Sequence, residues 1–194
     1  MTILGIDPGS QITGVGVITV CGDDLKHIYS ESLKLPQGEL SIRLQEIYSR
    51  LQKVIVQVKP DIVVIEKVFV AKNPRSALVL GHARGAAMLA ATNNDLPVIE
   101  YSATEIKKTV VGRGQADKIQ VQHMMRVLLG LRVAPEVDAS DALAAAVCHA
   151  QHQQMNAAIK IARSADDTKN IAATSPDADD EKARRTGGKT GVAR

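Results

Sequence analysis

Residues 2–34 read TILGIDPGSQITGVGVITVCGDDLKHIYSESLK, and the choice of fold turns on them. Runs 2–6, 12–20 and 25–34 are rich in Ile, Val and Thr, and they are broken by Pro8-Gly9 and by Gly22-Asp23-Asp24. β-Branched side chains suit a pleated strand, and Pro-Gly or Gly-Asp pairs suit tight turns. The stretch therefore predicts three consecutive antiparallel strands in a meander. Such a start excludes a purely doubly wound sheet, whose parallel strands each need a long crossover.

Outward from that meander, residues 40–57 place Leu40, Leu44, Ile47, Leu51 and Val54 at helical spacing. A fourth strand, 61–66, follows Lys59-Pro60. Asn73 suits an N-cap and Pro74 the first helical position, which predicts a helix to about Asn93. A fifth strand, PVIEY at 97–101, leads to helices near 102–110, 117–130 and 138–154. The order predicts an α/β domain: a mixed five-stranded sheet flanked by helices on both faces. Beyond Asn156 the chain holds charge, Ala, Gly and Ser with little to bury. The expected division is a domain over 1–155 and a disordered charged tail over 156–194, with 155–163 able to extend the last helix.

The 194 residues, 45% of them apolar, suffice for one domain with a full core. Two distant cysteines, Cys21 and Cys148, and a start without a basic and then apolar leader read as cytoplasmic and reduced. No apolar run approaches the roughly 18 residues of a membrane span, so a membrane role is not expected. The net charge is only +3, but it is unevenly spread. Residues 67–132 hold 10 Lys/Arg against 4 Asp/Glu, while residues 133–154 hold none against 3. A basic middle next to an acidic segment suits a polyanionic partner, although a solvated face would read the same.

Three places could carry chemistry. Asp7 ends the first strand directly before Pro8-Gly9, either as a turn aspartate or as a carboxylate held at the rim of the sheet. Glu66 ends the fourth strand, and the basic stretch of Lys67, Lys72, Arg75 and Arg84 follows it with the only phenylalanine, Phe69. Asp138 and Asp141 project from one side of a helix start, where they could equally serve as a cap and a dipole-complementing acid. Four carboxylates at one rim repel each other unless cations neutralise them, and hard oxygen donors suit Mg²⁺. Gly14 and Gly16 share one face of the second strand, where a helix or a ligand backbone can come close. Glycine-rich fragments such as GGKT at 187–190 fail the spacing of a nucleotide loop.

Taken together, GIDPGSQITGVGV, EKVFVAKNPRSALVLGHARG, KKTVVGRGQADKIQVQHMM and DASDALAAAVCHA resemble the RuvC family of Holliday-junction resolvases, over residues 1 to about 152. The resemblance implies a ribonuclease-H-like fold, a homodimer, and Mg²⁺-dependent paired nicks in a four-way DNA junction, with two ions per site. It places the acidic tetrad on Asp7, Glu66, Asp138 and Asp141, backbone-binding lysines on Lys107 and Lys118, and a stacking aromatic on Phe69. Arg75 and Arg84 join them as DNA contacts, and a branch-migration motor complex is an implied partner. Lys67 and His82 depart from the glutamines more usual there. Small residues from Gly81 to Ala90 suit a dimer contact or packing within the domain. The rival readings are a non-catalytic junction-binding protein and an actin-like ATPase or sugar kinase; the latter needs a second domain that 194 residues do not accommodate.

Overall fold

The structure is a computed structural model that describes residues 1–67 and 74–173, with side chains through Arg163. Strands β1 (Thr2–Asp7), β2 (Ile12–Cys21) and β3 (Asp24–Lys34) form the expected meander, followed by α1 (Leu40–Val58) and β4 (Ile62–Lys67). Then come α2 (Pro74–Thr92), β5 (Val98–Ser102), α3 (Ala103–Val111), α4 (Lys118–Leu128) and α5 (Val137–Ala173). The sheet order is β3-β2-β1-β4-β5. β1–β2 and β2–β3 are antiparallel, while β1–β4 and β4–β5 are parallel, so the sheet is mixed as expected. No described helix is long and apolar enough to cross a membrane.

Strand alternation sorts the core into two layers. Leu4, Ile6, Val15, Val17, Val63 and Ile65 face α1 and α2, where Ile47, Leu51, Ala83 and Ala87 are buried. Ile3, Ile18 and Val64 face the other way, onto Val110, Met125 and Leu143 of α3, α4 and α5. The helix starts are set by local chemistry. Ser102 caps α3 in a reciprocal pair with Glu105, and Asp117 caps α4 in a reciprocal pair with Gln120.

Residues Met1–Gln154 form one compact unit. Helix α5 is described to Ala173, beyond the boundary at 155 expected from the sequence. Phe69, Lys72 and the Asn73 cap lie outside the described residues, as do residues 174–194.

Candidate metal centre and nucleic-acid interface

Asp7 is the last residue of β1, and Glu66 is one residue from the end of β4. These strands are parallel neighbours in which Ile6 pairs with Ile65. Asp7 and Glu66 follow one step later and emerge together on the face that α5 covers. The turn after Asp7 is braced from within. The Thr13 hydroxyl donates to the Gly9 carbonyl at 3.0 Å, and Arg43 of α1 donates to the Ser10 carbonyl at 2.7 Å.

Missing side chains bring the start of α5 onto these strand ends. Gly14 pairs with Asp7 and Gly16 with Gly5 across β1 and β2. A Cβ at Gly14 would run into the Asp138 carbonyl, one at Gly5 into the Ala142 carbonyl, and one at Gly16 would sit 2.7 Å from the Leu143 nitrogen. Of the two readings of Gly14 and Gly16, helix packing is the observed one. That packing delivers the acids. The buried Ser32 hydroxyl fixes the same turn from β3, accepting from the Ala139 amide at 3.2 Å.

As a result, carboxylate oxygens of Asp7, Asp138 and Asp141 lie within 4.8 Å of one another. Glu66 stands outside that set but is electrostatically coupled to Asp7 and Asp141. Burial, with the charges of Glu66 and Asp141, pushes the Asp7 carboxyl up from 3.8 to about 7. Glu66 is raised by burial and by Asp141. Asp141 is raised too, because burial outweighs the opposing pull of Lys118. Three mutually repelling carboxylates at that spacing, all hard oxygen donors, fit a divalent cation of the Mg²⁺ type.

Lys118 already serves this cluster. It is the first residue of α4, and its Nζ lies 3.1 Å from Asp141 Oδ2 and 3.7 Å from Asp138 Oδ1. Burial alone would lower its pKa, but the neighbouring Asp141 carboxylate reverses that and raises it. The family resemblance pointed to Lys118 as a backbone-binding lysine and did not show its contact with the acids. The D-K-x-Q cap at 117–120, which sets Lys118 at the first position of α4, is the signal that was there to be read. Lys107, on α3, acts electrostatically on Glu66 and Asp141.

The other expected DNA contacts are more dispersed. Arg75 is exposed in the first turn of α2. Arg84 lies further along that helix, its Nε 2.7 Å from Glu100 Oε1 of β5, so its charge is already matched within the fold. Phe69 is not among the described residues. The sequence reading also missed Gly5, although its two-residue spacing from Asp7 marks it as belonging to the same face.

A family model described as crossover junction endodeoxyribonuclease RuvC matches residues 3–149. A protein of that description from Tolumonas auensis is 52% identical over 152 residues, which are 78% of this chain and 88% of the relative. Another from Edwardsiella ictaluri is 54% identical over 155 residues, 80% of this chain and 89% of the relative. Among solved structures, Thermus thermophilus RuvC in complex with Holliday junction substrate aligns with a TM-score of 0.75 at 34% identity, covering 80% of this chain and 96% of that one. The mixed five-stranded sheet is thus the ribonuclease-H-like sheet of these proteins, and the acids at its rim fall inside the matched region. On sequence and on fold alike, the chain belongs to the RuvC family of crossover junction endodeoxyribonucleases.

Proposed function

We propose that this chain is an Mg²⁺-dependent endonuclease that resolves four-way DNA junctions by paired, symmetric nicks. The observation that supports it most directly is the meeting of Asp7, Asp138 and Asp141 within 4.8 Å, with Glu66 coupled to them. In this reading Asp7, Glu66, Asp138 and Asp141 would hold two ions, which would supply charge stabilisation to an in-line displacement at phosphorus.

The chain's own residues do the rest. The sheet and the glycine seat of α5 hold the four carboxylates in place before substrate arrives, so little reorganisation is needed at the reacting phosphate. Lys118 offsets Asp138 and Asp141 in the resting site and is placed to meet a phosphate oxygen once cations take over that task. Lys107, and Arg75 at the start of α2, extend the positive surface along the strand. Arg84, held by Glu100, contributes least. Phe69 is proposed to stack on a base at the opened junction centre.

Symmetric nicking needs two sites, and a homodimer is part of the proposal. Ala83, Ala87, Ala90 and Ala91 turn inward and are buried, but Gly81 and Gly85 meet open space, and Leu78 and Leu89 are 64% and 58% exposed. With Leu44 and Tyr48 of α1 they line an apolar groove of about 660 Å³, suited to the same helix of a second copy. A branch-migration motor as a further partner rests on the family alone. A DNA substrate and two free cysteines suit the cytoplasm. In the same reading the domain is residues 1–155, and 156–194 serve as an appended charged tail.

The test is incubation with a synthetic four-way junction and Mg²⁺ beside linear duplex, read on a denaturing gel. Symmetric nicks in the junction alone are expected. Binding without any nicking would favour a non-catalytic junction-binding protein.

A further inference from the structure

Beside the turn that follows Asp7, where Gln11 leads into β2, lies a polar cavity of about 470 Å³ that the proposed chemistry leaves unused. Gln11, Lys34, Gln37 and Arg43 line it, beside the apolar Ile12, Leu35 and Pro36. Lys34 is the last residue of β3 and pairs with Ile12 at the start of β2. Arg43 comes from the first turn of α1. The cavity therefore opens at the same end of the sheet as Asp7, because β1 ends where β2 begins and β3 ends.

Its chemistry points to an anion. It contains two cations and two amides, and no carboxylate lines it. Neither Lys34 nor Arg43 has an ion-pair partner among the described residues. Of the nearby acids, Glu39 accepts from the Ser41 hydroxyl at 3.4 Å, Glu31 takes the Tyr29 hydroxyl and faces Arg50 at 3.7 Å, and Glu136 shares a separate cavity with Lys34. Arg43 spends one nitrogen on the Ser10 carbonyl, while its Nε is screened from solvent and has no acceptor. That Nε is out of reach of a ligand in the cavity, so Arg43 would meet an anion there through its remaining terminal N–H groups.

We infer that this cavity is a second phosphate subsite, in which Lys34 and Arg43 hold a non-scissile phosphate of the strand being cut. The inference rests on the reading of the chain as a junction nuclease. Gln11 is four residues from Asp7, so an extended chain limits their separation to about 14 Å. With about 3.4 Å of axial rise per phosphate along one strand, the held phosphate lies within a few nucleotides of the cut. Arg43 then has two tasks joined by one side chain: it braces the turn that carries Asp7 and registers the strand on it.

The experiment uses the full chain, a synthetic four-way junction, and Ca²⁺ in place of Mg²⁺ so that binding is read without turnover. Lys34 is exposed, so Lys34→Gln leaves the fold intact and isolates the subsite. Its junction affinity should depend less on salt, by about one unit of log-log slope. Single methylphosphonate substitutions along the cleaved strand should reveal one position, a few nucleotides from the cut, where neutralising the phosphate weakens wild-type binding but leaves Lys34→Gln binding unchanged. Arg43→Lys should keep more affinity than Arg43→Gln. If wild type binds and nicks the junction, yet Lys34→Gln keeps the full salt slope or its effect adds to every methylphosphonate, the subsite is refuted. If wild type neither binds nor nicks, the nuclease reading itself has failed.

Discussion

Lys118 Nζ lies 3.1 Å from Asp141 Oδ2, so the site has a cation of its own among its acids. A lysine and a divalent ion in that position compete. Lys118→Gln should therefore bind Mn²⁺ more tightly in the absence of DNA, by roughly tenfold if the removed repulsion is about 1.4 kcal/mol. The same change should weaken junction binding and slow cleavage, since the lysine is also the proposed phosphate contact. Isothermal titration with Mn²⁺ checks the first half; a fall in metal affinity would show that Lys118 supports the ion instead.

The raised carboxyl of Asp7 ties stability to pH. An unfolded Asp titrates near 3.9, whereas burial and the charges of Glu66 and Asp141 hold Asp7 at about 7. A raised acid stabilises the fold fully below its unfolded value, and that contribution is lost as pH rises through the folded one. Metal-free protein should melt at a lower temperature at about pH 8 than at about pH 5. The ceiling is about 4 kcal/mol, reduced by the solvent that reaches this partly exposed group. Asp7→Asn should flatten the profile, and Mg²⁺ should raise the melting temperature more at the higher pH. A profile unaffected by Asp7→Asn would place the coupling elsewhere.

The sequence carried both halves of this site and the expectation that they share one rim, but not the contacts that bring them together. Asp7 and Glu66 were legible because each closes a run of aliphatic residues, Ile and Leu before Asp7 and Val and Ile before Glu66, and a parallel register makes such ends neighbours. The sheet and its helical layers followed from β-branched runs, turn residues, helical spacing and cap residues. Asp138 and Asp141 were harder, since an acid in a first helical turn usually serves the helix itself. Their partner is fixed by Gly5, Gly14 and Gly16, a contact between residues about 130 positions apart that periodicity cannot reveal. The Lys118 ion pair was hidden for a similar reason: α4 meets the segment leading into α5 through tertiary packing, with Gln122 donating to the Pro135 carbonyl at 2.6 Å.

Each acid can be tested separately. Asp7→Asn, Glu66→Gln, Asp138→Asn and Asp141→Asn should each reduce Mg²⁺-dependent cleavage by about a hundredfold or more, since each removes a charged ligand from the reacting centre. Junction binding should persist, because none is a phosphate contact and each change lessens repulsion. Gel-shift and cleavage assays on the same preparations separate the two effects. A variant that retains near-normal cleavage marks a residue outside the site, and Glu66, apart from the tight triad, is the most exposed to that outcome.

The open face of α2 gives a test of assembly. Leu78 is 64% exposed beside Gly81 and Gly85, and a charge there would be desolvated in a dimer but solvated in a monomer. Leu78→Glu should shift sedimentation from dimer to monomer at micromolar concentration while leaving the melting curve of the domain nearly unchanged. It should also convert paired nicks into single ones. An unchanged sedimentation profile would move the interface off this groove.

Gly14 connects packing with chemistry most directly. It lies across from Asp7 in the sheet, and the Asp138 carbonyl occupies the space where its side chain would be. Gly14→Ala adds one methyl group that has nowhere to go, because the atoms it would strike first are the Asp138 backbone carbonyl oxygen and carbon. The first turn of α5 must lift, at a typical overpacking cost of about 1–3 kcal/mol. Asp138 and Asp141 move with that turn, while Asp7 and Glu66 stay with the strands. Cleavage should then fall far more than stability. Mn²⁺, softer in its geometric demands than Mg²⁺, should recover part of the activity, and junction binding should be close to that of wild type. Full Mg²⁺ activity in Gly14→Ala would mean that α5 tolerates the shift and that its close seat does not set the metal geometry.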